Sequence, residues 1–126
     1  CVGIDAKKIA ENKWTVYING GRVDMGIDLI DWVKQIEQLG AGEICLNSID
    51  ADGTKNGFDI PMLKAVCDSC SIPVIASGGA GKINDFSEVF EKTGATAALA
   101  ASLFHFRELT VQEVKQYCRD KGVVVR

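Results

Sequence analysis

The chain has 126 residues, 47% hydrophobic and 25% charged, the balance of one folded domain and not of a disordered tail. At this length roughly two thirds of the unfolded surface can be buried, so a core forms without metal or disulfide staples. Fourteen Lys and Arg against seventeen Asp and Glu leave a formal charge of -3, which offers no global attraction for nucleic acid or an anionic membrane. Any anion must therefore be held locally. No apolar run approaches the roughly 18 residues of a membrane span and no signal-peptide pattern is read at the start, so the cytoplasm is the expected compartment. The five cysteines are an odd number, three of them in apolar segments, and read as reduced, buried thiols. The sequence opens on Cys1, directly in an apolar strand pattern, which reads as part of something longer.

In chain order, Val2-Gly3-Ile4 is a first short strand. Trp14, Val16 and Ile18 then alternate with Thr15 and Tyr17, and Asn19-Gly20 supplies the positive φ values of a tight turn, so 14–25 is predicted as a hairpin. Lying between the first strand and the first helix, it reads as an elaborated loop outside the main sheet. Apolar periodicity predicts a helix over 28–39 (Leu29, Ile30, Val33, Ile36), a strand at Glu43-Ile44-Cys45-Leu46 and a helix over 59–70. A strand follows at Pro73-Val74-Ile75-Ala76, then a helix over 84–92, a weaker strand at Ala97-Ala98-Leu99-Ala100 and a helix over 110–119. The boundaries are punctuated: Thr110 with Glu113 forms a capping box, Pro61 sits in a first turn, and Gly40 and Gly94 follow last apolar positions. The strand runs are continuous rather than alternating, as in a parallel sheet covered on both faces. Leu39-Gly40-Ala41-Gly42 and Thr93-Gly94-Ala95-Thr96 form a weak repeat two βα units apart. The spacing suits a (βα)8 barrel, and this chain holds four such units.

In a parallel α/β assembly the ligand site lies beyond the C-terminal ends of the strands. The Ser77-Gly78-Gly79-Ala80-Gly81-Lys82 loop opens a helix, so its N–H groups and the helix N-terminus can cradle a phosphate; the plain alternative is a glycine-rich tight turn. Ala101-Ser102 after the next strand adds small-residue N–H groups and a hydroxyl. Asp5 follows the first apolar run, where partial burial suits a carboxylate to proton transfer; the alternative is a cap or an ion pair with Lys7 or Lys8. Asp50 and Asp52 rank below it, as caps of the region around Asp59 or solvated carboxylates. Cys67-Asp68-Ser69-Cys70 lies at a helix end, where nothing lowers a thiol pKa, and one His with a single CxxC makes no zinc site. His105, in Leu103-Phe104-His105-Phe106, reads as packed and hydrogen-bonded rather than catalytic, and Trp14 and Trp32 as core or hairpin packing.

Four segments in order, Gly3-Ile4-Asp5-Ala6-Lys7, Asn47-Ser48-Ile49-Asp50-Ala51-Asp52-Gly53-Thr54, Ile75-Ala76-Ser77-Gly78-Gly79-Ala80-Gly81-Lys82 and Ala100-Ala101-Ser102-Leu103-Phe104-His105-Phe106, resemble the C-terminal half of the cyclase subunits of imidazole glycerol phosphate synthase. The resemblance runs the whole length. It implies one domain, 1–126, that is half of a (βα)8 TIM barrel, strands five to eight, with the hairpin inserted after the first strand. It also implies an enzyme of histidine biosynthesis that takes ammonia from a glutaminase partner and converts a bisphosphorylated substrate, with no cofactor. By this resemblance Asp5 is one of two catalytic aspartates. Asp52, Gly53, Gly79, Ala101 and Ser102 surround one phosphate, Asn47 and Ser77 line the pocket, and Glu43 belongs to the ring through which ammonia enters. The other aspartate and the second phosphate site belong to an N-terminal half that this sequence lacks. The chain alone is therefore expected to be inactive but phosphate-binding, and to self-associate through the free edges of its first and fourth strands. Two further readings stay open: a non-catalytic, self-associating phosphate-binding scaffold, and a related sugar-phosphate isomerase of the same pathway, against which the Asp-Gly-Thr and Phe-His-Phe segments count.

Overall fold

β-Branched and small apolar residues between Gly-marked turns build six strands, and the amphipathic segments between them build five helices. The computed structural model describes residues 1–126. The order is β1 (Val2–Ala10), β2 (Lys13–Ile18), β3 (Val23–Asp28), α1 (Leu29–Gln38), β4 (Ile44–Ser48), α2 (Ile60–Ser69), β5 (Val74–Ser77), α3 (Ile83–Lys92), β6 (Ala97–Leu99), α4 (Ser102–His105) and α5 (Val111–Asp120). One sheet contains all six strands in the order β3-β2-β1-β4-β5-β6. From β1 through β4 and β5 to β6 the pairing is parallel, and β2 and β3 add antiparallel to the outside of β1.

The helix ends follow from side-chain chemistry. The Asp31 N–H donates to Asp28 Oδ2 at 3.1 Å, the Met62 N–H to Asp59 Oδ1 at 3.2 Å and the Glu113 N–H to Thr110 Oγ1 at 3.1 Å, each satisfying a donor that a helix start leaves unpaired. Of the capping box expected at Thr110, this is the half that forms. Gly40, at φ +95°, turns the chain out of α1.

The expected hairpin is present, with Asn19 at φ +55° and Gly20 at φ +68°, but it belongs to the main sheet. The first strand does not end at Ile4. It runs on to Ala10, past the end of its neighbour β4, and its other edge pairs with β2 from Asp5↔Tyr17 to Ala10↔Lys13. The turn at Glu11-Asn12, with Asn12 at φ +55°, folds β2 back along this edge, while on the β4 side the Lys8 N–H finds Asp50 Oδ2.

One face of the sheet is covered. Ile4 and Ala6, Ile44 and Leu46, and Val74 and Ala76 are buried beneath Leu29, Val33 and Ile36 of α1, Met62, Leu63 and Val66 of α2, and Phe86 and Val89 of α3. The helices pack in sequence, α1 on α2, α2 on α3 and α3 on α5. On the other face Asp5, Cys45, Asn47, Ile75 and Ser77 are only half-buried and Leu99 is exposed. This corrects the expectation of a sheet covered on both faces: the apolar residues that made the runs continuous, Cys45 and Ile75, occupy a face that no helix of this chain covers. Leu46 is fully buried in the strand at the middle of the parallel set. Leu46→Ala should cost about 2–5 kcal/mol in urea unfolding, the usual range for a core leucine truncated in place.

All five cysteines are free. Burial, first among the causes at each, raises the thiols of Cys45, Cys67, Cys70 and Cys118 above their ordinary value of 9.0. Such a thiol keeps its proton in the fold at a pH where the unfolded thiol has lost it. Its contribution is complete below the ordinary value and disappears as pH rises through the raised one. The fold should thus weaken above about pH 9, and a four-serine variant should flatten that limb of a stability-versus-pH curve.

Candidate functional site

Register alone assembles the first part of the site. Asp5 of β1 stands opposite Asn47 of β4, Asn47 opposite Ser77 of β5, and Ser77 opposite Leu99 of β6. Because side chains alternate across a strand, these residues form one row on the uncovered face, near the C-terminal ends of the parallel strands. The row is hydrogen-bonded: Asn47 Nδ2 donates to Asp5 Oδ1 at 3.1 Å, and Ser77 Oγ donates to Asn47 Oδ1 at 3.3 Å. Asn47 thereby has both ends of its amide engaged, which settles its orientation and holds one carboxylate oxygen of Asp5, leaving Oδ2 without a protein partner. Neither Lys7 nor Lys8 pairs with Asp5. Neither form of the alternative weighed for this residue, the cap or the ion pair, is made.

The loops beyond the row enclose a cavity of about 170 Å³ lined by Asp52, Gly53 and Lys55 after β4, Ser77 to Ala80 after β5, and Leu99 to Ser102 at the end of β6. Asp52, Gly53, Gly79, Ala101 and Ser102, expected around a phosphate, all meet here, together with Ser77, which was expected to line the pocket. Asn47 and Asp5 sit one and two strands across from Ser77. Glu43, half-buried just ahead of β4, lies four residues before Asn47 on the same face, about 13 Å away at strand rise and toward the opposite end of the sheet.

The cavity's donors are backbone groups. The N–H groups of Gly53, Gly79, Ala80 and Ala101 have no protein acceptor, although Gly79 and Ala80 are buried. Buried donors are nearly always paired, so these mark a place for an acceptor. The helix N-terminus is not available in the way the sequence suggested. Asp85 Oδ2 accepts from both Gly81 N–H and Lys82 N–H at 2.8 Å, so α3 caps itself, and Lys82 is exposed and outside the cavity lining. A carboxylate three residues into the helix is a local competitor for any outside anion.

Glycine is demanded here by close approach. The segment between Thr54 and Gly57 lies across the glycine loop, with the Gly57 N–H donating to Gly79 O at 2.8 Å. A Cβ on Gly79 would stand 2.1 Å from Gly57 O, and one on Gly81 would stand 1.9 Å from Lys55 O. Gly79→Val would therefore disrupt the loop pair before it reported on ligand, and it is unsuited as a binding probe.

Other residues singled out in the sequence lie apart from this chemistry. Asp50 does not cap the next helix; it stays exposed, and Lys8 N–H donates to its Oδ2 at 2.7 Å, tying the β4 loop to β1, while Asp59 does the capping and also accepts from Ser48 Oγ at 3.1 Å. His105 is exposed and stacks edge-on against Phe106 at 5.1 Å with no side-chain hydrogen bond, so the expectation of a packed, hydrogen-bonded imidazole is corrected. The cause is α4, a four-residue helix unread in the sequence; it turns Leu103 and Phe104 inward, Phe104 lying 5.9 Å from Phe86, and leaves His105 and Phe106 outside. Cys67 and Cys70 face apolar neighbours with raised thiols, as read. Trp14 is buried in the core and Trp32 packs against it. Sequence reasoning missed Lys55, the one cationic side chain of the cavity, although the Asn56-Gly57 pair beside it signalled a tight turn.

Residues 1–110 match the profile of the family described as "Histidine biosynthesis protein". The chain belongs to this family. Over 125 residues, 99% of its length, it is 58% identical to the imidazole glycerol phosphate synthase subunit HisF of Bacillus cereus (strain AH187), and over 126 residues 56% identical to that of Clostridium botulinum (strain Okra / Type B1). Each alignment takes in 50% of the relative, so the chain spans about half the length of the curated relatives it matches. The row and the cavity both lie within residues 1–110, the segment that the family profile matches. No helix is long and apolar enough to cross a membrane.

Proposed function

We propose that the chain acts as the C-terminal half of an imidazole glycerol phosphate synthase cyclase, a (βα)8 barrel enzyme in which β1, β4, β5 and β6 serve as strands five to eight and the β2–β3 hairpin is an insertion. In the complete enzyme, ammonia from a glutaminase partner reacts with a bisphosphorylated ribotide to give imidazole glycerol phosphate and an aminoimidazole carboxamide ribotide. The observation that carries this reading is the conjunction of an oriented carboxylate and an N–H-lined cavity at one end of a half-covered parallel sheet. Asp5 transfers protons, held by Asn47, which Ser77 braces in turn. Gly53, Gly79, Ala80, Ala101 and Ser102 hold one substrate phosphate by backbone and hydroxyl donation, which needs no basic surface in a chain of charge -3. Glu43, at the far end of the same face, belongs to the ammonia entrance. The relatives named favour the cyclase over the isomerase of the same pathway.

Two free edges support the half-barrel reading. The β1–β2 ladder ends at Asp5↔Tyr17, so Val2, Gly3 and Ile4 lack a partner on that side, and β6 has none on its outer side. The edge expected along the whole first strand is thus confined to its first residues, because the hairpin covers the rest. Such edges, beside an uncovered inner face, drive pairing with a second copy when no complementary half is present. Light scattering at micromolar concentration should therefore return at least a dimer mass; a stable monomer refutes this part.

The anion site is tested by titrating inorganic phosphate into the ¹⁵N-labelled chain. The amide resonances of Gly53, Gly79, Ala80 and Ala101 should shift together and saturate, while those of Gly81 and Lys82, engaged by Asp85, should move less. Uniform small shifts that do not saturate reject the site.

A further inference from the structure

Lys55 and Glu108 face each other across the rim of the phosphate cavity. Lys55 Nζ donates to Glu108 Oε1 at 2.7 Å, and both side chains are more than a third exposed. Each partner is delivered by a left-handed backbone position. Lys55 itself has φ +58°, and Arg107, immediately before Glu108, also has φ +58°. Residues carrying a Cβ adopt this conformation uncommonly, and here two such positions bring the partners of one contact together. The backbone beneath is well supported: Lys55 O rests against Gly81, and the Glu108 N–H donates to Leu103 O at 2.9 Å, anchoring the turn to a buried residue of α4.

The charge arrangement gives the contact a use. Lys55 is the one cationic and Asp52 the one anionic side chain lining the cavity. While Lys55 is paired with Glu108, its charge is neutralised and the cavity presents unpaired N–H groups beside one uncompensated carboxylate, Asp52. That arrangement discourages a dianion. Half-exposed lysine–carboxylate pairs are weak and exchange readily, whereas a phosphate carries nearly twice the charge and several acceptor oxygens.

Resting on the phosphate reading above, we propose that the Lys55–Glu108 pair is an exchangeable latch. Lys55 leaves Glu108 for the phosphate when the anion enters, and Glu108 acts as an internal competitor that sets the affinity and speeds release. The latch joins the loop after β4 to the turn after α4, so its opening and closing also couples occupancy of the cavity to the order of both segments.

The test is calorimetric titration of inorganic phosphate into the 126-residue chain and into Glu108→Gln, Lys55→Gln and the double variant, with thermal unfolding of each to verify folding. Glu108→Gln should bind about 3–10-fold tighter and Lys55→Gln about tenfold weaker, in the range of single charge-assisted contacts. In the Lys55→Gln background, the Glu108 substitution should change affinity by less than about twofold, because a competitor without its cation competes for nothing. Binding by the starting chain with no gain from Glu108→Gln overturns the latch and leaves the phosphate site standing. An equal gain in both backgrounds overturns it as well, reducing Glu108 to plain repulsion. Absence of binding in every folded variant overturns both the latch and the phosphate reading, while binding that emerges only in Glu108→Gln supports both.

Discussion

Gly81→Ala should dislodge the loop after β4 and abolish saturable phosphate binding, because the new Cβ would lie 1.9 Å from Lys55 O and 2.5 Å from its carbonyl carbon. No flexible side-chain tip is in the way; the obstacle is backbone, so one of the two loops must move. Gly79→Ala should be at least as severe, since its Cβ would meet Gly57 O at 2.1 Å and its φ of +110° is one that other residues rarely hold. Two other glycines separate strain from collision. Gly53 has φ +77° with open space around it, so Gly53→Ala should cost only about 1–2 kcal/mol, the penalty of a left-handed residue. Gly42 has neither constraint, and Gly42→Ala should be close to neutral. Overpacking with no room to relax costs about 1–3 kcal/mol or more, so urea unfolding should rank the variants Gly79 and Gly81 below Gly53, and Gly53 below Gly42. Equal stability across the four would mean that the two loops are not docked as described.

What the sequence made legible was local. Apolar periodicity, helix starts at about Asp28 and Asp59, Thr110 as a cap, and Asn19-Gly20 as a turn are decided within a few residues, and the parallel strands and their connecting helices followed from them. Asp5, Asn47, Ser77 and the cavity residues were legible for another reason: they follow apolar runs, and the ends of parallel strands are where ligands sit. Features that depend on distant partners were not legible. The length of β1 is set by β2 rather than by its own composition, since Lys7 and Lys8 carry no strand signal. The self-capping of α3 depends on which acceptor reaches Gly81 and Lys82 first, and Asp85 gives no sign of that beyond its spacing. Lys55 is one exposed lysine among several until the fold sets it on the rim opposite Glu108. Continuous apolar runs were the misleading signal: they report that a face will be buried, not that the same chain supplies the cover.

The last expectation concerns catalysis, where the change should be largest. The proposed cyclisation moves protons at more than one atom, and of the groups placed on the open face Asp5 alone is a carboxylate within the hydrogen-bonded row. Its neighbours Asn47 and Ser77 orient rather than titrate. A single positioned carboxylate, without a second acid–base group and without the anchor for the substrate's other phosphate, loses both proton transfer and alignment. The 126-residue chain alone should consequently show no measurable ammonia-dependent turnover while still binding phosphate. Mixed with the N-terminal half of a cyclase relative, whose strands would pair with Val2 to Ile4 and with β6, it should recover activity. In that mixture Asp5→Asn keeps the size of the side chain and a hydrogen-bonding partner for Asn47, but removes the base. Turnover should fall by about 10²–10⁴-fold, the usual worth of a positioned proton-transfer group. Phosphate affinity should stay unchanged, because the cavity lies beyond Ser77 and is built from other loops. Following loss of the bisphosphorylated substrate in the chain, the mixture and the Asp5→Asn mixture distinguishes the possibilities. Turnover by the chain alone would show that it contains a complete site, and an undiminished Asp5→Asn mixture would mean that the base is another residue.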